Sequence, residues 1–326
     1  MKTTILVTGA NGQIGSVLVP HLQEIFGYNN VIASDFITNP RIDSIFEKLD
    51  ATNAEKLHEI VTKYKINQIY HLAAILSAKG EENPLLTWNT NMITLMNVLE
   101  IARINRIDKV FFPSSIAVFG DLAEKNNTPQ SSFLNPATVY GISKASGEIW
   151  AQYYCLKYGL DIRSLRFPGI ISYQSAPGGG TTDYAVDIYH KAVLNKKFSC
   201  FLKEDTILPM MYIDDALRGT IEFMETPKDL IKTKTSYNLA AVSYAPKDVA
   251  LSIKKYFPGF EIEYVPDNRQ AIADKWPRLI DDQEAKKDWN WKHEFNLDAI
   301  TKTMLTALSD KYKGERYLEA IDRLVS

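Results

Sequence analysis

Short runs of β-branched and aromatic residues alternate with longer stretches of helical period through the first 170 residues of the chain. Ile5–Val7, Val31–Ser34, Gln68–Leu72, Val110–Phe112 and Ile162–Leu165 read as strands, and the segments opening near Val17, Ala54, Leu85 and Ser143 read as helices. Continuously apolar strands need cover on both faces. The alternation therefore predicts an α/β fold with a Rossmann-like, doubly wound parallel sheet, whose ligands sit at the carboxyl ends of the strands. After Phe167 the rhythm changes. Pro168-Gly169 and Pro177-Gly178-Gly179-Gly180 lead into a helix-like Asp183–Leu194, and later signals are shorter and irregular, which predicts a smaller α/β substrate-binding lobe. The segments around Tyr212–Met224 and Tyr237–Leu239 are expected to return to the first domain. That domain would comprise residues 1–170 and about 208–242, and the lobe about 171–207 and 243–326. A last helix is expected over Leu297–Tyr312, then a charged tail over Asp310–Ser326.

Composition narrows the class without naming a chemistry. With 326 residues the prior is roughly two domains. Hydrophobic residues make up 45% and charged residues 23%, with 37 Lys+Arg against 39 Asp+Glu, which excludes disorder and collagen. A net charge of −2 without a basic cluster argues against nucleic-acid and anionic-membrane partners. Cys155 and Cys200 are too few for a disulfide framework and lack metal-ligand spacing, so buried thiols in a reducing compartment are expected. No pair of histidines has metal spacing, and no metal is expected. No apolar run approaches the roughly 18 residues that span a bilayer. Met1-Lys2 leads directly into Thr3–Val7, leaving no room for a targeting peptide, so a cytoplasmic protein is expected.

The first strand runs into Thr8-Gly9-Ala10-Asn11-Gly12-Gln13-Ile14-Gly15, with a helix expected from about Gly12. Glycines at this spacing permit a tight turn, clear the approach of a pyrophosphate and let helix pack on strand. The N–H groups at the helix end then face the phosphates. Twenty residues past Gly15, Asp35 follows the second strand. Its carboxylate suits the two ribose hydroxyls and repels a 2′-phosphate, which favours NAD over NADP. Asp50, ending a short strand-like Lys48-Leu49-Asp50, either meets the adenine edge or is a loop acid. His71, in the apolar run Ile69–Ala74, reads as a core histidine.

Tyr140 and Lys144 stand four residues apart at the opening of a long helical segment, and so lie on one helix face. A phenol with its ordinary pKa near 10 is a poor base at neutral pH. Two close cations, the lysine and an oxidised nicotinamide, are expected to lower it by about 3 units, which takes roughly 4 kcal/mol. Tyr140 then becomes a general base. The strand Val110–Phe112 leads into Pro113-Ser114-Ser115, which puts a hydroxyl where a reacting oxygen would lie; Ser115 is the stronger candidate of the two. In Pro177–Val186, glycines followed by Thr181, Thr182 and a helix start suit a small anion such as a carboxylate, or else form a lid or linker.

Thr8–Gly15, Ser115, Tyr140 and Lys144 together resemble the extended short-chain dehydrogenases/reductases, the group of nucleotide-sugar epimerases and dehydratases. The stretches Pro177–Val186, Ser114–Gly120, Leu208–Tyr212 and Arg269–Pro277 are similar to those of the short-chain type of L-threonine 3-dehydrogenase. The resemblance implies NAD as cofactor and hydride transfer from C3 of L-threonine, giving 2-amino-3-oxobutanoate, with Lys144 also on the nicotinamide ribose. It further implies that Gly9, Gly12, Gln13, Ile14, Gly15, Asp35, Asp50, Leu72, Ala73, Ala74, Asn91, Ser114, Phe167 and Pro168 surround the cofactor. Ser77, Gly179, Gly180, Thr181 and Thr182 would hold the substrate, with Trp276 closing the pocket unless it is a core residue. Closure of the small lobe over threonine, after NAD has bound, is expected. Two alternatives stand beside this: a nucleotide-sugar 4-epimerase or dehydratase with tightly held NAD, and a non-catalytic NAD-binding protein. By the same resemblance a homodimer would form through Leu85–Ile104 and Ser143–Tyr158. Leu95, Val98, Leu99 and Ala102 would line that contact or pack on the sheet.

Overall fold

Six parallel strands form the main sheet of the computed structural model, which describes residues 2–37, 42–178 and 180–325. Their order across the sheet is Ile45–Lys48, Val31–Asp35, Ile5–Thr8, Gln68–His71, Lys109–Phe111 and Ile162–Arg163. The winding direction reverses between Ile5–Thr8 and Gln68–His71, so a crevice opens there at the carboxyl ends. Side chains alternate between the two faces. Ile5, Val7, Val31, Ala33, Tyr70 and Phe111 enter one apolar cluster, with Val17, Leu18 and Leu22 of the helix Gly15–Phe26. Leu6, Ile32, Ile69 and Val110 enter the other, beneath the helices Ala54–Tyr64, Pro84–Asn105 and Val139–Tyr158. Leu95, Val98, Leu99 and Ala102 all belong to this second cluster, which resolves their two readings in favour of core packing.

Pro113 lacks an N–H, which interrupts the fifth strand's ladder. The chain resumes as Ser114–Ser115 and pairs with Arg166–Phe167, while Tyr237–Asn238 adds beyond Leu165–Arg166. The expected strand Ile162–Leu165 is thus two, separated at Ser164. The short strand expected over Lys48–Asp50 is instead Ile45–Lys48, an edge strand with little of the alternation that marks a buried face. Asp50 lies beyond it in a turn. The helix Ser77–Glu82 was not anticipated, because its Ser-Ala-Lys-Gly-Glu-Glu carries no apolar period.

Beyond Phe167, Leu208–Tyr212 lies between Gly169–Ile171 and Val242–Tyr244, and Phe198–Cys200 pairs with Ile262–Tyr264. Helices Tyr184–Val193, Pro246–Lys254 and Leu297–Val325 pack on one another. The last helix continues through the segment expected to be a charged tail, since Glu, Lys, Arg and Leu are good helix formers and no proline stops them. The first apolar cluster runs on without a break from Val7 to Ile300 and Met304. Cys200 is buried and Cys155 half-buried, both as free thiols. Among the described residues no helix is long and apolar enough to cross a membrane.

Candidate active site

Because the strands are parallel, Thr8, Asp35, His71, Ser115 and Phe167 all end on the same side of the sheet. The glycines of the first turn divide the work. Gly9 has φ +72°, and a Cβ there would lie 2.7 Å from the Ala73 nitrogen, so it supplies both the left-handed backbone and the close approach to Leu72–Ala73. A Cβ on Gly15 would lie 2.4 Å from the Gly9 carbonyl oxygen, which makes this the position where helix meets strand. On Gly12 it would meet only that carbonyl, at 3.2 Å, so this side of the turn is open. The helix starts at Gly15 rather than Gly12, and its N-cap residue Ile14 offers no side-chain acceptor to the first N–H groups. An open glycine turn beneath a helix end without a capping side chain fits a pyrophosphate.

Asp35 is buried at the end of its strand; its Oδ2 accepts the Asn11 N–H at 3.0 Å and its Oδ1 the Ile37 N–H at 3.2 Å. These bonds aim the carboxylate beside the glycine turn and leave lone pairs for ribose hydroxyls. Asp50 is exposed, with Oδ1 taken by the Thr52 N–H at 2.9 Å and the Thr52 hydroxyl at 2.7 Å, the arrangement of a turn residue. Gln13 donates to the Ile170 carbonyl at 3.3 Å and so ties the glycine turn to the segment after Pro168. Asn91 is buried and clamps Ile75, accepting its N–H at 2.8 Å and donating to its carbonyl at 3.1 Å; it also donates to Ser143 Oγ at 3.2 Å. It holds the chain after Ala74 against the helix of Tyr140. His71 is a core histidine: it bonds Thr8 Oγ1 at 2.9 Å, and burial lowers its pKa to about 3, with Lys144 adding to the effect.

Tyr140 and Lys144 lie in the first two turns of Val139–Tyr158, which Thr138 caps by accepting the Gly141 N–H at 3.1 Å. The Tyr140 hydroxyl bonds the Ser115 side chain, whose Oγ also accepts the Ala117 N–H at 3.1 Å. Lys144 Nζ stands 5.5 Å from the centre of the Tyr140 ring and 4.6 Å from that of Phe112, and donates to the Pro113 carbonyl at 2.7 Å. Burial lowers the Lys144 pKa to about 7. In the protein by itself burial pushes the Tyr140 pKa up to about 12 against the smaller opposing effect of the Ser115 bond; the expected acidification concerns the site with NAD⁺ bound. Bringing that phenol to neutrality takes about 7 kcal/mol, not roughly 4, at 1.36 kcal/mol per unit.

Two expectations change. The Ser114 hydroxyl is not open: it is buried and donates to Glu148 Oε1 at 2.6 Å. The amides expected to form an anion site are already engaged, since Asp183 Oδ2 accepts the N–H groups of Gly178 at 2.6 Å and Gly180 at 2.8 Å. An incoming carboxylate would have to displace Asp183, whose like charge opposes it. Gly179 lies outside the described residues. Thr181 remains a good candidate, because its Oγ1 is buried without a hydrogen-bond partner, while Thr182 packs its methyl group towards Gly169. Trp276 is buried beside a cavity of about 200 Å³ that Thr206, Asp274 and Arg278 also line, and its Nε1 has no partner. Ser77 is buried at the start of its short helix, and Phe167 packs on Phe111 with ring centres 6.3 Å apart.

The structure also reveals a buried group not anticipated from the sequence. Arg166 grips Glu148 with Nε to Oε1 at 2.9 Å and Nη2 to Oε2 at 2.7 Å, and Arg166 Nη1 reaches the Gln130 carbonyl and Asn238 Oδ1, each at 3.0 Å. Removing one partner of such a pair costs on the order of 3–5 kcal/mol. The signals were a charge inside the apolar run Leu165–Phe167 and an acid one helical turn past Lys144.

A parallel sheet with a glycine turn, an acid closing the second strand and a Ser–Tyr–Lys group at one rim defines a nicotinamide-dependent enzyme of the extended short-chain type. Residues 5–240 match the NAD dependent epimerase/dehydratase family, and the chain belongs to it. An uncharacterized epimerase/dehydratase of Staphylococcus haemolyticus is 46% identical over 317 residues, covering 95% of this chain and 99% of that protein. The GalE-like L-threonine dehydrogenase from Cupriavidus necator, in its holo form, is 50% identical with a TM-score of 0.93, covering 94% of this chain and 99% of that one. A monomeric L-threonine 3-dehydrogenase from a metagenome, in its apo form, is 45% identical with a TM-score of 0.92, covering 94% and 99%. Family and holo neighbour together imply NAD(H) binding and an oxidoreductase or epimerase type of chemistry.

Proposed function

We propose that this protein oxidises L-threonine at its C3 hydroxyl with NAD⁺, giving 2-amino-3-oxobutanoate. The observation that carries the reading is the Ser115–Tyr140–Lys144 group in a chain half identical, along nearly its whole length, to a threonine dehydrogenase. Gly9–Gly15, Asp35, the Leu72–Ala74 segment and Phe167-Pro168 would hold NAD. When bound, NAD⁺ supplies the hydride acceptor and a positively charged ring. Tyr140 accepts the hydroxyl proton, Ser115 holds the substrate oxygen, and Lys144 keeps positive charge beside the phenol. Thr181, with its free buried hydroxyl, and Gly180 would take the amino-acid carboxylate after Asp183 has moved. Residues 1–170 with about 208–242 would act as the cofactor domain and the remainder as the substrate lobe. Stoichiometric NADH release on adding L-threonine tests the reading. Catalytic turnover of a UDP-sugar without net NADH would replace it with an epimerase or dehydratase.

Asp35→Asn is expected to weaken NAD⁺ binding at least about tenfold, as loss of a charge-assisted hydrogen bond does, and to narrow the preference over NADP⁺. Titration with each cofactor checks this. For assembly, Leu85, Leu86 and Ile93 on one helix and Ile149, Trp150, Tyr153 and Leu156 on another are exposed, and together they would form an apolar face for a second copy. Trp150→Glu is expected to convert a homodimer to monomer in sedimentation. A wild-type monomer, like the metagenomic neighbour, removes that proposal.

A further inference from the structure

Lys144 and Glu148 are four residues apart on one helix, a spacing at which a lysine and an acid ordinarily pair. Here they do not: among the described residues Lys144 makes no ion pair, and its Nζ donates to the Pro113 carbonyl. The acid is fully buried, and both its oxygens are committed elsewhere, to the fork of Arg166 and to the Ser114 hydroxyl.

We propose that Glu148 and Arg166 are a positioning pair for the catalytic face: Arg166 holds both carboxylate oxygens of Glu148, keeps that acid from closing on Lys144, and so leaves the lysine charge to act on Tyr140. Through Ser114 the same carboxylate anchors the strand residue next to Ser115. This rests on Tyr140 being the base.

Few other charges reach this face. His71, at the end of the strand Gln68–His71, feels the charge of Lys144 and is kept neutral by burial. Glu81, on the helix Ser77–Glu82, accepts the Val139 N–H at 2.8 Å at the helix start. Glu100 and Arg103 of Pro84–Asn105 meet the helix farther along, at Tyr154 and Tyr158, and Arg163 is paired with Asp161. The pair is therefore a buried, balanced charge whose acid shares the helix of Tyr140, and unbalancing it would change the field on Tyr140 with a predictable sign.

Glu148→Gln leaves an unopposed cation and is expected to move the acid limb of kcat/KM for threonine down by about one pH unit. Arg166→Gln leaves an unopposed anion and is expected to move it up by a similar amount. The neutral double variant Glu148→Gln/Arg166→Gln is expected to return the limb to its wild-type position, even where its rate is reduced. A second readout needs no substrate. Calorimetry of NAD⁺ binding in buffers of different ionisation heat gives the pH at which binding releases a proton, and this midpoint is expected to move in the same directions. Glu148→Gln is nearly isosteric and the double variant buries no charge, so the comparison survives if Arg166→Gln does not fold. Rates that fall with the proton-release midpoint unmoved would reduce the pair to a structural role and overturn the proposal. Wild-type protein that binds NAD⁺ but does not oxidise threonine would instead overturn the substrate reading, and the proton-release measurement would still decide the role of the pair.

Discussion

Tyr140→Phe is expected to lower kcat by at least about 100-fold, the usual contribution of a positioned acid–base group, while NAD⁺ binding stays within a few-fold of wild type. The substitution removes one oxygen and keeps the ring that packs against the first apolar cluster, so the fold has little reason to respond. On the proposed mechanism, what is lost is the acceptor for the substrate's proton, together with the bond to Ser115. The size of the effect follows from the energetics of the site. A phenol held near pKa 12 in the protein alone, beside a lysine lowered to about 7, is a base only when the positive charge around it is complete. No other side chain among those bonded to Ser115 can take the proton. Ser115→Ala should cost less, because the phenol and lysine remain. Steady-state turnover with threonine, set beside cofactor titration by fluorescence, checks the prediction. Near-normal turnover in the phenylalanine variant would remove Tyr140 from the mechanism.

The glycine turn and the acid closing the second strand were legible in the sequence because their determinants are local. A glycine at φ +72°, a glycine where a Cβ would come within 2.4 Å of the Gly9 carbonyl oxygen, and an acid closing the next strand are each set by a few neighbouring residues. The same holds for Tyr140 and Lys144, which one helix brings to one face. What escaped depends on contacts between distant segments. Ser114 looks like an open hydroxyl until Glu148, 34 residues later, is folded beneath it. The glycine amides before Thr181 look like an anion site until Asp183 turns back on them, a choice between two acceptors that composition does not reveal. Edge strand Ile45–Lys48 and helix Ser77–Glu82 escaped for a different reason: neither buries a full face, so neither carries the period that identifies buried elements.

The second large effect is expected at Gly141, a residue with no functional group. A Cβ there would lie 2.1 Å from the carbonyl oxygen of Ala117 and 2.8 Å from Pro136, and the backbone oxygen cannot turn aside as a flexible side chain would. That contact fixes how near the first turn of the Tyr140 helix comes to the Ile116–Val118 turn that follows Ser115. Gly141→Ala must push the two apart, at a cost of about 1–3 kcal/mol for an overpacked site, and the separation falls directly on the Ser115–Tyr140 bond. A displacement of about 1 Å at reacting groups costs on the order of 100-fold in rate. The variant is therefore expected to lose kcat nearly as severely as Tyr140→Phe, with a lowered Tm. NAD⁺ affinity should suffer less, because the glycine turn and Asp35 belong to other elements. Gly259→Ala provides the control: nothing lies within 4 Å of a Cβ there, and both stability and turnover should stay near wild type. Wild-type turnover in Gly141→Ala would mean that the Ala117 contact does not set the distance between serine and tyrosine, and the alignment of the catalytic face would then have to come from the Ser114–Glu148–Arg166 side alone.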